Sequence, residues 1–71
     1  MTNSLMFEMA ILKAQITKSD IADALGISRV SLTRKINNVT EFKASEISLL
    51  KNILKLSDQE RDKIFFANTV D

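Results

Sequence analysis

Apolar residues recur at helical spacing along almost the whole chain, and this pattern predicts five helices. We place them at about 4–14, 18–25, 29–37, 44–56 and 57–67. No stretch alternates apolar and polar residues between turn signals, so no strand is predicted. A single glycine and no proline leave little turn chemistry for hairpins. The sequence therefore predicts an all-α fold in which residues 1–71 form one compact domain of five helices.

The spacing of apolar residues also predicts which side chains form the core. In the first helix we expect the core face to consist of Leu5, Met6, Met9, Ile11, Leu12 and, just beyond its end, Ile16. In the fourth helix the corresponding residues are Ile47, Leu50, Ile53 and Leu54. Phe42 is the expected anchor of the connection at 39–43.

The most informative stretch is 17–37, which we interpret as a helix-turn-helix. Thr17 with Asp20 has the spacing of a capping box, Gly26 suits a left-handed helix end, and Ser28 can cap a second helix. One apolar stripe on each helix would face the core: Ile21, Ala22 and Leu25 on the first, and Leu32 and Ile36 on the second. The second helix then presents a polar and basic outer face, which is typical of a helix that reads the major groove. A helical hairpin with a merely solvated basic surface has the same pattern.

Overall composition narrows the possible functions. The chain is 45% hydrophobic and 27% charged, which is an ordinary globular composition. It has no histidine and no cysteine, so a zinc site or a Ser-His or Cys-His catalytic unit cannot be built, and no acidic cluster has calcium-loop spacing. We therefore expect no enzyme activity, no metal and no cofactor. The apolar run at 5–12 is interrupted by Glu8 and is too short for a membrane span, so we expect a soluble intracellular protein.

The distribution of charge is more informative than its sum. The net charge is only +1, but residues 28–40 contain three basic residues and no acid. A locally basic helix can bind phosphates even on a nearly neutral protein.

Ile64, Phe65 and Phe66 form a second unusual feature, because three adjacent helical residues cannot all face one core. One interpretation is a self-association surface, which in a two-fold dimer would place two recognition helices in successive major grooves. The other is that Phe65 packs inside while Phe66 covers a flank.

The chain also resembles a known family. The stretch at 17–38 reads TKSDIADALGISRVSLTRKINN and is similar to the XRE/Cro family of lambda-repressor-like DNA-binding domains. The later segments EFKASEI and LSDQERDKIFF resemble small phage-type regulators of Gram-positive bacteria. This resemblance, which covers about 11–66, implies a sequence-specific transcriptional regulator. The implied protein is a Cro-like repressor of a phage or prophage that binds double-stranded operator DNA in the bacterial cytoplasm, as a homodimer.

The resemblance also implies roles for individual residues. Arg29, Val30 and Arg34 match positions that face base edges, where arginine bonds guanine and valine meets a thymine methyl group. Contacts to the DNA backbone are implied for Lys18, Asn38 and Lys43, and Ser28 can approach the backbone or a base. Ser31, Thr33 and Lys35 are second-rank candidates, chiefly for phosphates. Asn38 stands where many members of the family have glycine, so the loop after the recognition helix departs from the family pattern.

Two other functions fit the same residues. A protein-interaction module on this fold, such as an antitoxin-like protein or an anti-repressor, would act by contacting another protein. A purely structural helical domain would have no affinity for DNA even at low salt. For the repressor, neither a small-molecule ligand nor a sensor domain is expected. Its activity would therefore depend on its own concentration or on a competing repressor.

Overall fold

A computed structural model describes residues 1–67, which form five helices and no strand. The helices are α1 (Ser4–Ala14), α2 (Lys18–Leu25), α3 (Arg29–Ile36), α4 (Ala44–Ile53) and α5 (Asp58–Phe65). The predicted all-α fold is thus confirmed. Within the described part of the chain, no helix has the length and apolarity needed to cross a membrane.

Side-chain caps begin most of the helices where the local sequence predicts them. Thr17 and Asp20 form a reciprocal capping box at the start of α2, with both hydrogen bonds at 3.1 Å. The Ser28 hydroxyl accepts a hydrogen bond from the Ser31 N–H at the start of α3. Each cap satisfies an N–H group that the first turn of a helix leaves without a partner.

Three helix ends use a left-handed residue that is not glycine. Besides Gly26, which ends α2 at φ 69°, the residues Gln15, Asn38 and Lys55 have φ values of 57°, 65° and 54°. Because Lys55 adopts this conformation, α4 ends at Ile53 and not near residue 56 as the apolar pattern predicted. The predicted ends of α3 and α5 were also one or two residues too late.

The core contains residues from all five helices. Its buried members are Phe7, Ile11, Ile21, Ala22, Leu32, Ile36, Ile47, Leu50, Leu54, Ile64 and Phe65. In pairs, α2 packs against α3 and α4, while α5 packs against α1 and α4. The predicted anchor Phe42 is confirmed, because its ring stacks on Phe7 with centroids 5.6 Å apart.

The predicted core face of α1 was only partly right: Ile11 is buried and Met6 and Ile16 pack against the core, but the other three predicted residues are exposed. Phe7 and Ile11 are buried, whereas Leu5, Met9 and Leu12 lie on the opposite, exposed side of the helix. The error has a physical reason: α1 is apolar on both sides, so hydrophobic spacing alone does not decide which side faces inward. Burial of a phenylalanine decides it, because the larger side chain removes more apolar surface from water.

Two adjacent leucines in α4 test this core. Leu50 is fully buried and Leu49 is 46% exposed. Leu50→Ala should lower the free energy of unfolding by about 2–5 kcal/mol, because it leaves a cavity. Leu49→Ala is the matched control and should change it by less than about 1 kcal/mol. Urea titration of both variants measures the difference, and equal losses would show that α4 is oriented differently.

Two carboxylates at the junction of α4 and α5 make the folding stability depend on pH in the acid range. The Ser57 N–H donates to Glu60 Oε1 over 2.9 Å and lowers the pKa of Glu60 from 4.5. The hydrogen bond from Lys51, at 3.0 Å from Asp58 Oδ1, likewise lowers the pKa of Asp58 from 3.8. These contacts favour the charged carboxylates in the folded chain, so their stabilisation is present above the unfolded pKa values and is lost as the pH falls through the folded ones.

We therefore expect the free energy of unfolding to fall as the pH drops below 4.5. Glu60→Gln keeps an acceptor for the Ser57 N–H but does not titrate, so it should flatten this fall. Glu41→Gln is the control, because the Glu41 carboxylate has no hydrogen bond or ion pair within residues 1–67. Thermal melts between acid and neutral pH measure both profiles, and an unchanged profile in Glu60→Gln would contradict the assignment.

Candidate nucleic-acid interface

The candidate site is the outer face of α3, and its geometry follows from how that helix is held. Leu32 and Ile36 are buried and form the inner edge of α3. Since successive helical residues are about 100° apart, Val30 and Arg34 lie on the side opposite this edge. Val30 is 59% exposed and Arg34 is also exposed. The outer face therefore combines an apolar and a cationic side chain, both open to solvent.

Arg34 is the cation of this face with no partner in the described structure. Its guanidinium makes no ion pair or hydrogen bond within residues 1–67. Its carbonyl, by contrast, accepts the N–H groups of Val39 and Thr40 at 2.8 and 3.4 Å, which folds the following loop back over the end of α3. The backbone at Arg34 is thus fixed while its five N–H donors remain available to a ligand.

Arg29 connects the beginnings of α2 and α3. One of its terminal nitrogens donates to the Ser19 hydroxyl over 2.8 Å, and its carbonyl accepts from the Thr33 hydroxyl over 3.0 Å. The side chains of Arg29 and Ser19 are both exposed. Ser19 had not been predicted as a site residue, although its place in the first turn of α2 beside Lys18 was a usable signal. This hydrogen bond orients the Arg29 side chain and leaves its other N–H donors available.

Ser28 has a structural role as the N-cap of α3, and Ser31 is its hydrogen-bond partner. The Ser28 hydroxyl accepts from the Ser31 N–H over 3.0 Å and donates to the Ser31 hydroxyl over 3.2 Å. Ser28 is exposed and Ser31 is half-buried. Both therefore lie at the rim of the face, where a phosphate would meet the N-terminus of a helix.

Two predicted contact residues make polar contacts within the domain. The Lys35 ammonium lies 3.2 Å from Glu46 Oε1 and donates to the Glu41 carbonyl over 3.0 Å, so it points away from the outer face. The Asn38 amide accepts from the Thr2 N–H at 2.7 Å and donates to the Thr2 carbonyl at 2.9 Å. Asn38 adopts the left-handed conformation, which asparagine tolerates better than most residues.

The carboxylate of Glu46 was missed by sequence reasoning. It is buried, and the same oxygen accepts from the Lys43 N–H over 2.7 Å and binds Lys35. The spacing of Lys43 and Glu46 is that of a capping box, which was the available signal. Lys43 itself is exposed, whereas the Lys18 ammonium lies 2.6 Å from Glu8. Lys43 is thus the more accessible of these two flanking cations.

The predicted self-association residues are divided between the core and the surface. Ile64 and Phe65 are buried inside the domain, and Phe66 alone is exposed. Phe65 packs edge-on against Phe7 and Phe42, with centroid distances of 5.7 and 5.4 Å. The first two residues are therefore not accessible to a partner, and the arrangement is the alternative one, in which Phe66 covers a flank.

Comparison of the chain with protein-family models, with curated protein sequences and with solved structures yields no match. Its function is therefore inferred from its residues and their geometry. Among residues 1–67, no group of histidine, cysteine or acidic side chains is arranged to hold a metal ion.

Replacing either of two neighbouring basic residues of α3 should affect stability to very different extents. Lys35→Gln should lower the free energy of unfolding by about 2 kcal/mol or more, because the buried Glu46 carboxylate loses its cation. Arg34→Gln should change it by less than about 0.5 kcal/mol, because this exposed side chain has no partner to lose. Urea titration at neutral pH tests both variants. Equal stability of the two would mean that Lys35 is not needed inside the fold.

Proposed function

We propose that this protein is a sequence-specific DNA-binding regulator that reads the major groove with the outer face of α3. The observation that carries the proposal is the exposure of Val30 and Arg34 on a short helix whose opposite edge is buried. Between Ser28 and Thr40 there is no acidic residue to repel phosphates. A basic, solvent-exposed helix that follows a tight turn has the form of a recognition helix.

The chemistry of the face suits a base edge flanked by phosphates. An arginine can donate two parallel hydrogen bonds to guanine O6 and N7, and an aliphatic side chain can contact the thymine methyl group. Arg34 is the best placed of the cations for the first contact and Val30 for the second. Arg29 and Lys43 are exposed on either side, and Lys18 can reach a phosphate after exchanging its ion pair with Glu8.

We further propose that the chain is a member of the XRE/Cro family and a repressor of phage type. This is supported by the order of the helix-ending and helix-capping residues: Thr17 with Asp20, then Gly26 in the left-handed conformation, then Ser28 before α3. The inner residues Leu32 and Ile36 hold α3 against the rest of the domain. Repression would follow from occupying operator DNA, and binding as a homodimer would double the small recognition face.

Selection of bound sites from random double-stranded DNA tests this function. We expect enrichment of one motif with a guanine at a fixed position, and we expect binding to weaken as salt rises. Arg34→Ala should weaken binding to that motif by about 5- to 150-fold and relax the preference for guanine, in keeping with about 1–3 kcal/mol for a bidentate contact.

Lys63→Ala is the matched control, because it removes one positive charge from an exposed residue of α5. It should weaken binding only slightly and leave the motif unchanged. Failure to enrich any motif would contradict sequence-specific binding. If a charge-reversed Arg34→Glu variant kept the full regulatory effect of the protein in cells, that result would instead favour the protein-interaction module.

A further inference from the structure

The outward side of α1 is an apolar stripe that residues 1–67 leave uncovered. Leu5, Met9 and Leu12 are 70%, 59% and 77% exposed, and they follow each other at intervals of four and three residues. This spacing places all three on one side of the helix, opposite to the buried Phe7 and Ile11. Contiguous exposed apolar surface of this kind marks interaction sites on proteins.

A groove extends the stripe toward the end of α4. It has a volume of about 520 Å³, and its apolar lining includes Met6, Met9, Ala10, Ile53 and Leu56. Met9 belongs to both the stripe and the groove, so the two form one continuous surface. We name this surface the α1 face.

Charged residues flank the stripe with opposite signs. In the repeat set by Leu5, Met9 and Leu12, Glu8 lies on one flank and Lys13 on the other. The intervals of four and three match the seam of a two-stranded coiled coil, in which the flanking residues form ion pairs between the chains. When two such helices run parallel, Glu8 of one copy faces Lys13 of the other. When they run antiparallel, like flanks meet, so Glu8 faces Glu8 and Lys13 faces Lys13.

We propose that the α1 face binds a second copy of this chain, with the two α1 helices parallel. The pairing covers the six leucine and methionine side chains of the two stripes and sets two Glu8–Lys13 pairs beside them. It also assigns self-association to α1 and not to Ile64–Phe66, of which two residues are buried. None of the outer residues of α3 belongs to the α1 face, so both copies keep them exposed.

The dimensions of the face predict a weak dimer. An α1 of 11 residues is about 16 Å long, and specific complexes usually bury about 800 Å² on each partner. A single helix of this length is a short contact for such a complex. We therefore expect the monomer and the dimer to be in equilibrium at concentrations of about 10 µM to 1 mM.

Sedimentation equilibrium of the whole chain without DNA tests the proposal independently of DNA binding. Leu12→Gln should raise the dimer dissociation constant at least about tenfold, since it places a polar group in the apolar contact at the most exposed residue of the stripe. Leu49→Gln changes another exposed leucine, on α4, and should leave the constant unchanged. A chain that stays monomeric throughout, or one in which both variants behave alike, would overturn the proposal. Circular dichroism melts confirm that each variant is folded.

A charge exchange tests the parallel direction. Glu8→Lys or Lys13→Glu alone should weaken the dimer, because each puts like charges opposite one another, and the double variant should restore it. Glu8 also binds Lys18 within its own chain, so recovery in the double variant, and not the loss in Glu8→Lys, is the decisive result. A dimer that is insensitive to either single exchange would overturn the parallel arrangement.

Discussion

Three phenylalanine rings hold together segments that are far apart in the sequence. Phe7 of α1 and Phe42 of the α3–α4 connection stack at 5.6 Å, and Phe65 of α5 meets both edge-on. Such contacts add to the apolar area that large rings remove from water. A chain of 71 residues has room for one modest core, so the relative positions of these three segments depend on this cluster.

Contacts beside this cluster determine where α3 lies. The Lys35 ammonium sits 5.9 Å from the centre of the Phe42 ring and binds the buried Glu46, which ties α3 to α4 beside the aromatic rings. At the end of the same helix, the Ser4 hydroxyl donates to the Ile36 carbonyl over 2.6 Å and Asn38 binds Thr2. The orientation of α3 is thus set by its inner edge and by polar contacts to α1, α4 and the segment before α1.

Local chemistry predicted the helix starts, whereas long-range contacts escaped prediction. Thr17, Ser28 and Ser57 cap helices because a hydroxyl satisfies N–H groups two or three residues away, which the sequence shows directly. Lys55 ends α4 without the glycine that usually signals such an end. The inward orientation of Lys35 depends on Glu46, eleven residues later in the sequence. The spacing of the basic residues along α3 does not predict this contact.

The same distinction applies to the candidate site. Exposure of Val30 and Arg34 follows from the positions of Leu32 and Ile36 on the same helix, so spacing sufficed to predict it. The exposed stripe of α1 could not be predicted, because a helix with two apolar sides needs knowledge of what packs against each. Phe7 is the residue that decides it, and its aromatic partners lie 35 and 58 residues away along the chain.

Within residues 1–67 the Arg34 side chain makes no hydrogen bond or ion pair, and this has a consequence for divergence. An exposed side chain of this kind can be exchanged at little cost to folding, and the same holds for the exposed Val30. The same is not true of Lys35, one residue further on. Under the proposed function, single substitutions at these outer positions would change the preferred sequence while Leu32, Ile36 and Lys35 keep α3 in place.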